Sequence, residues 1–192
     1  VEAKKPYDIE TLTDIAIAVF AERGYDGASM DDVARAAGIT KAGIYHHVAS
    51  KEALLERGLQ RALDALDAVL ADADACSGPR DELRRIVLAV AELTFALRPQ
   101  LTVLFRIRGN SSVEREAIER RRIFDRRLTA LVARAQTAGE IRPDLDPGVV
   151  TRLIFGMSNS IVEWYRVDGR ISNREIARAV VAISFDGLTT RN

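Results

Sequence analysis

The sequence predicts an all-α protein of about nine helices: a three-helix N-terminal unit over residues 1–51, then a larger helical unit over residues 52–192. Three observations carry this. Apolar residues recur at three- and four-residue spacing along almost the whole chain, the periodicity of one buried helix face. The breaks between these stretches hold glycine, proline, or Ser, Thr and Asp in capping positions. Composition agrees, because 47% hydrophobic residues with only 6% aromatic and five prolines in 192 residues leave Ala, Leu, Arg and Glu, good helix formers, as the bulk.

The first helix, about 8–23, puts Ile9, Leu12, Ile15, Ala16, Val19 and Phe20 on one stripe, and Gly24 ends it. Gly24 to Leu55 then reads GYDGASMDDVARAAGITKAGIYHHVASKEALL, two short helices with a tight turn at Gly38. Ser29 caps the first of them and Asp32, three residues on, reaches back to the cap. Gly38 falls where the chain must reverse, so a left-handed backbone is expected there. Thr40 caps the second helix, and Ile44 and Val48 face inward four residues apart. This is a helix-turn-helix, whose second helix enters the major groove of DNA. Lys41, Ala42 and Gly43 are the candidates for approach to base edges, where small residues bring the helix close. Thr40, Tyr45, His46, His47 and Lys51 are the candidates for phosphate contacts.

Ser50 caps a long helix to about residue 73, with Leu54, Leu55, Leu59, Leu63, Leu66, Val69 and Leu70 along it. After Ser77-Gly78-Pro79 a helix to about 96 carries Leu83, Ile86, Val87, Val90, Leu93 and Thr94. Pro99 opens the next, which ends near Arg108, because the missing N–H is harmless in a first turn. Gly109-Asn110 breaks the chain, and Ser111 or Ser112 caps a charged helix to about 138. Its Glu114, Glu116, Glu119, Asp125 and six arginines between Arg115 and Arg127 are expected as a solvated, salt-bridged face. Asp146 and Pro147 start a helix to about 167 that is apolar over most of its circumference and so must be covered on more than one side. Ser172 caps the last helix, whose stripe is Ile176, Ala179, Val180, Ile183 and Leu188.

Several functional classes find no support. Residues 1–61 hold eight Lys and Arg against ten Asp and Glu, so DNA affinity must come from a small patch rather than a basic domain. The two histidines are adjacent, and side chains ~100° apart around a helix do not share a metal. No Gly-x-Ser-x-Gly, glycine-rich phosphate loop or metal-spaced Cys/His set occurs, so no catalytic residue, metal or cofactor is assigned and no enzyme is expected. No uncharged apolar run of 18 residues spans a membrane, and no signal peptide is visible in the polar start. Cys76 is alone, which rules out a disulfide within the chain, is expected as an ordinary small side chain, and fits a reducing cytoplasm.

The run from Phe20 to Leu55, with the helix before it, resembles the DNA-binding domain of the TetR family of transcriptional regulators. The resemblance implies a homodimer on a double-stranded, palindromic operator, released by a small molecule. It also implies that the last two helices pair with those of a second subunit, for which Ile161, Val162, Tyr165, Ile176, Val180 and Ile183 are the candidates. The segments RPDLDP, VEWYRVDGRIS and the final DGL resemble a branch responding to acyl-CoA thioesters of fatty-acid and sterol breakdown. In that reading Arg98, Arg106, Arg108 and Arg121 meet the anionic head of a small apolar or acyl-CoA-type effector, and Phe155 and Asn159 line its channel. The alternatives are a multidrug-type sensor, a DNA binder without effector, and a helical lipid or CoA carrier that does not bind DNA.

Overall fold

The computed structural model describes residues 8–73, 77–166 and 169–188, so Cys76 and the first seven residues lie outside the described residues. Among those described there are nine α-helices and no strand, as predicted: α1 (Ile9–Arg23), α2 (Met30–Ala37), α3 (Lys41–Tyr45), α4 (Lys51–Ala73), α5 (Pro79–Ala96), α6 (Arg98–Arg106), α7 (Ser112–Thr137), α8 (Pro147–Trp164) and α9 (Asn173–Asp186). The caps predicted at Ser29, Thr40, Asp146 and Ser172 are present, and Asp8 adds one at the start of α1. Asp8, Ser29, Thr40, Asp146 and Ser172 each accept a backbone N–H from the first turn they precede. No single helix among the described residues is long and apolar enough to cross a membrane.

The chain forms two compact units, and the division is not a single cut. Residues 1–63 and 99–119 make one; residues 64–98 and 120–192 make the other. In the first, Leu12, Ala16, Ile17 and Phe20 of α1 are buried with Val33, Ala34 and Ala37 of α2, Ile44 of α3, Leu54, Leu55 and Leu59 of α4, and Leu101 and Leu104 of α6. Helix α4 meets α1 at Gly58, where a Cβ would overlap the Cγ1 and Cδ1 atoms of the fully buried Ile17. Glycine is needed there for space, not for backbone freedom.

The second unit is built on α5, against which α8 and α9 both pack. Its core holds Leu83, Ile86, Val87 and Val90 of α5, Phe124, Leu128 and Val132 of α7, Ile154, Phe155, Ile161 and Val162 of α8, and Ile176, Val180 and Val181 of α9. Phe124 and Phe155 meet edge to face at 6.3 Å. Four of the residues expected at a dimer interface, Ile161, Val162, Ile176 and Val180, are therefore buried inside the chain's own core. Periodicity showed that these positions are covered but not by what. Tyr165 is half-buried, its hydroxyl bonded to Asn173 Oδ1 and its ring edge to face with Phe95, and only Ile183 of the six is exposed. Helix α8 also ends at Trp164, short of the expected 167, because Tyr165 turns to extended backbone.

The charged face of α7 also departs from expectation. Glu114 is only 2% exposed, and its Oε2 accepts the backbone N–H groups of Arg108, Gly109 and Asn110 at 2.9–3.2 Å. Arg120 reaches Asp64 at 3.0 Å and also Asp67, and Arg134 reaches Glu82 at 3.0 Å. These pairs join α7 to α4 and α5 rather than linking residues along α7 itself.

The Gly58 contact gives a direct test. Gly58→Ala is expected to lower stability by about 1–3 kcal/mol in denaturant titrations, the usual cost of overfilling a close-packed core. Combined with Ile17→Ala, which removes the atoms in the way, its added cost should largely vanish; strictly additive effects would contradict the crossing described.

Candidate nucleic-acid interface and effector cleft

Each local feature of the helix-turn-helix has a physical cause. Ser29 and Asp32 form a reciprocal capping box: the Ser29 hydroxyl accepts from Asp32 N at 3.2 Å, and Asp32 Oδ2 accepts from Ser29 N at 2.9 Å. Gly38 adopts φ 63° and ψ 32°, the left-handed conformation expected of it, and ends α2. Thr40 Oγ1 accepts from Gly43 N at 3.1 Å and starts α3, which is anchored by the buried Ile44 and, just beyond it, Val48. The outer surface of α3 is left to Lys41, Ala42, Tyr45, His46 and His47, all exposed, with Thr40 at its start and Gly43 half-buried. A Cβ on Gly43 would lie 3.3 Å from Thr40 Oγ1, so this position is kept small by its own cap as well.

Two of the predicted DNA-facing cations, Lys41 for the base edges and Lys51 for the phosphates, have partners that the motif did not reveal. Lys41 Nζ pairs with Asp31 Oδ2 at 2.9 Å, an exposed ion pair across the turn. Lys51 is drawn inward: its ammonium donates to the Tyr25 carbonyl and sits 4.2 Å from the centroid of the Tyr25 ring and 5.7 Å from that of Phe20. Burial lowers the Lys51 pKa from its ordinary value, and it raises that of Tyr25 to about 12, helped by the charges of Glu52, Glu114 and Asp26. A lysine next to a recognition helix reads as a phosphate contact, and nothing local announces a partner 26 residues away.

The arginines expected around an effector are divided between the two units. Arg106 and Arg108 belong to the first unit, and Arg106 donates to the Ala21 carbonyl at 3.0 Å. Arg98 and Arg121 belong to the second, where Arg98 Nε donates to the Val162 carbonyl at 3.2 Å. Phe155 and Asn159 do line one cleft, of about 450 Å³, between α7 and α8. Its cations are Arg122, Arg126 and Arg152, with Asp125, Thr129 and Thr151 beside them. Burial raises the Asp125 pKa although Arg121 and Arg152 oppose the shift. In the sequence Arg122 and Arg126, one turn apart on α7, read as solvated surface, and Arg152 of α8 carried no reading.

An exposed second helix, capped at its start and seated by Ile44 behind a left-handed glycine turn, defines a DNA-binding protein of the helix-turn-helix class. Residues 12–57 match the family described as "Bacterial regulatory proteins, tetR family", and residues 76–188 match the "Tetracyclin repressor-like, C-terminal domain". The chain belongs to the TetR family of transcriptional regulators and is a DNA-binding regulator. It is 31% identical over 183 residues to the HTH-type transcriptional repressor KstR2 of Mycobacterium tuberculosis, covering 93% of this chain and 91% of that protein. Among solved structures it resembles SCO3833, a TetR-family member from Streptomyces coelicolor A3, at 45% identity and a TM-score of 0.88, over 98% of this chain and 94% of that one. It also resembles AibR, solved in complex with isovaleryl coenzyme A and operator DNA, at 27% identity and a TM-score of 0.80, over 92% and 97% of the two chains.

The capping box makes a pH prediction. The Ser29 hydroxyl and backbone N–H, together with Arg23 and Arg35, hold the Asp32 carboxyl down at about 2, below its ordinary 3.8. A depressed carboxylate stabilises the fold fully above the unfolded-state value and loses that contribution as pH falls from about 4 through about 2. Asp32→Asn should therefore flatten part of the fall in melting temperature over that window; an unaltered slope would contradict the assignment.

Proposed function

We propose that this chain represses transcription as a homodimer on a palindromic operator, and that a small effector with an apolar body and an anionic head, of acyl-CoA type, releases it. DNA reading is assigned to residues 1–51, and effector binding and dimerisation to residues 52–192. The observation that carries the reading is the exposed, acid-free outer face of α3, supported by the relatives: KstR2 is named a repressor, and AibR was captured with an acyl-CoA and its operator. Lys41, Ala42 and Gly43 approach the bases; Thr40, Tyr45, His46 and His47 hold phosphates. Lys51 contributes chiefly by fixing the α1–α2 turn through Tyr25, and its phosphate role is secondary. A gel shift with the DNA upstream of the gene tests the core of the reading, since a carrier that lacks DNA binding gives no shifted band.

The phosphate role has a salt signature. Tyr45→Ala and Lys51→Ala should weaken binding to all DNA sequences by similar factors, and Lys51→Ala should lower the slope of log K against log salt by up to about 0.9, one counterion's share. Unchanged affinity in both variants would remove this docking geometry.

For the dimer, the supporting feature is an uncovered stripe on α8, with Val149 at 45%, Leu153 at 65% and Trp164 at 53% exposure, beside Ile183 at 43% and the exposed Ala179 and Ala182 of α9. Two such faces about a twofold axis suit an isologous contact and recognition helices ~34 Å apart, or a multiple of that. Leu153→Asp should yield a folded monomer by light scattering and circular dichroism. Ile161→Asp, a charge placed in the core, should unfold the chain instead. A dimer unaffected by Leu153→Asp would move the interface elsewhere.

The α7–α8 cleft is the proposed seat of the effector's anionic part, with Arg122, Arg126 and Arg152 as its partners and Phe155 and Asn159 at its wall. An acyl-CoA at 100 times its dissociation constant should stabilise the protein by ~2.7 kcal/mol, visible as a thermal shift, and release operator DNA. Arg126→Ala combined with Arg152→Ala should abolish that response. A shift with planar cationic drugs and none with acyl-CoAs would assign the site to a multidrug-type sensor.

A further inference from the structure

A second cleft, of about 580 Å³, lies wholly within the first unit. One wall is the end of α1 and the α1–α2 turn, including Phe20, Arg23, Tyr25 and Asp26; the other is the last turn of α6 and the residues after it, including Arg106 and Arg108. Glu114, from the first turn of α7, forms its inner wall. The charges do not resemble an ordinary surface groove. Arg23 is matched by Asp32 at 2.9 Å, and Asp26 accepts from Asn110 Nδ2 at 3.0 Å. Arg108 is exposed, and the bond it makes to Glu114 at 3.0 Å uses its backbone N–H, not its guanidinium.

Glu114 is the unusual group. It is 2% exposed, its Oε2 already takes three backbone N–H groups, and its Oε1 has no hydrogen-bond partner among the described residues. A buried acceptor left unpaired costs roughly 1–3 kcal/mol, and such groups persist where a water or ligand supplies the missing donor. The rest of the lining is apolar or aromatic: Val103, Ile107 and the edge-to-face pair Phe20 and Tyr25 at 5.2 Å, whose rings also carry the Lys51 ammonium at 5.7 and 4.2 Å.

We infer that this cleft binds a small zwitterion with an apolar body: an ammonium meets Glu114 Oε1, a carboxylate meets Arg108, and the body lies against Phe20 and Tyr25. Such a ligand ties the α1–α2 turn to the α6–α7 turn, five residues before α2 begins at the Tyr25 end. It is a second input to the DNA-binding unit and does not depend on what occupies the α7–α8 cleft.

The test is isothermal titration calorimetry on the full chain with three probes: L-phenylalanine, 3-phenylpropionate, which lacks the ammonium, and 2-phenylethylamine, which lacks the carboxylate. L-Phenylalanine should bind at least tenfold tighter than either half-molecule. Arg108→Ala, an exposed change that leaves the fold intact by circular dichroism, should cost it at least tenfold while leaving the binding of 2-phenylethylamine unchanged. Glu114→Gln should remove the advantage conferred by the ammonium. No binding by L-phenylalanine, equal binding by all three probes, or indifference to Arg108→Ala would overturn the inference and leave Glu114 Oε1 to an ordered water. The acyl-CoA response of the Arg108→Ala variant should be unchanged, so failure here is distinguishable from failure of the effector reading.

Discussion

A helix of five residues cannot stand by itself, because the first turn of a helix costs more in backbone entropy than its hydrogen bonds return. Helix α3 is such a helix, and the DNA-binding surface exists only because other groups hold it. Thr40 supplies its first hydrogen bond, Gly38 sets the direction of entry with a left-handed backbone, and Ile44 and Val48 fasten it from beneath. The support beneath is fixed in turn by the Ser29–Asp32 box at the start of α2 and by the close approach of α4 to α1 that Gly58 permits. Tyr45, His46 and His47 on the outer face of α3 stay exposed, since the cap and the buried Ile44 and Val48 hold the helix without them.

The charged residues divide into those that pair within reach of water and those used as internal fasteners. Lys41 with Asp31 is of the first kind, an exposed pair that contributes little to stability. Glu114 and Lys51 are of the second. Glu114 gathers three backbone N–H groups of the α6–α7 turn, and Lys51 donates to the backbone of the α1–α2 turn. Both fasteners act on turns of the first unit, and both secure backbone rather than opposing side chains. The acidic balance of residues 1–61 is a sum over the whole stretch, and its sign says little about the small, acid-free surface that α3 presents.

Helix α8 shows the other side of the same economy of surface. One face, with Ile154, Phe155, Ile161 and Val162, is buried in its own unit, while Val149, Leu153 and Trp164 remain exposed. Apolar character runs around most of this helix, and its own unit covers only part of it among the described residues. The α7–α8 cleft lies beside this face, so Phe155 both packs against Phe124 in the core and lines the cavity proposed for the effector.

The amino-acid sequence determined by itself the features whose causes are local. The nine helices among the described residues, the caps at Ser29, Thr40, Asp146 and Ser172 and the left-handed Gly38 have causes within about four residues. The length and specificity of the 20–55 motif made the family legible as well. Tertiary structure alone decided which partner each long side chain finds. Lys51 turned inward to Tyr25, Glu114 became a buried acceptor, and Ile161 and Val180 went to the chain's own core rather than to an open face. Arg98, Arg106, Arg108 and Arg121 were divided between two units, while Arg122, Arg126 and Arg152 met at one cleft. Periodicity reports that a face is covered and composition reports that a charge is present. The covering and the counter-charge come from residues tens of positions away, and only packing in three dimensions brings them together.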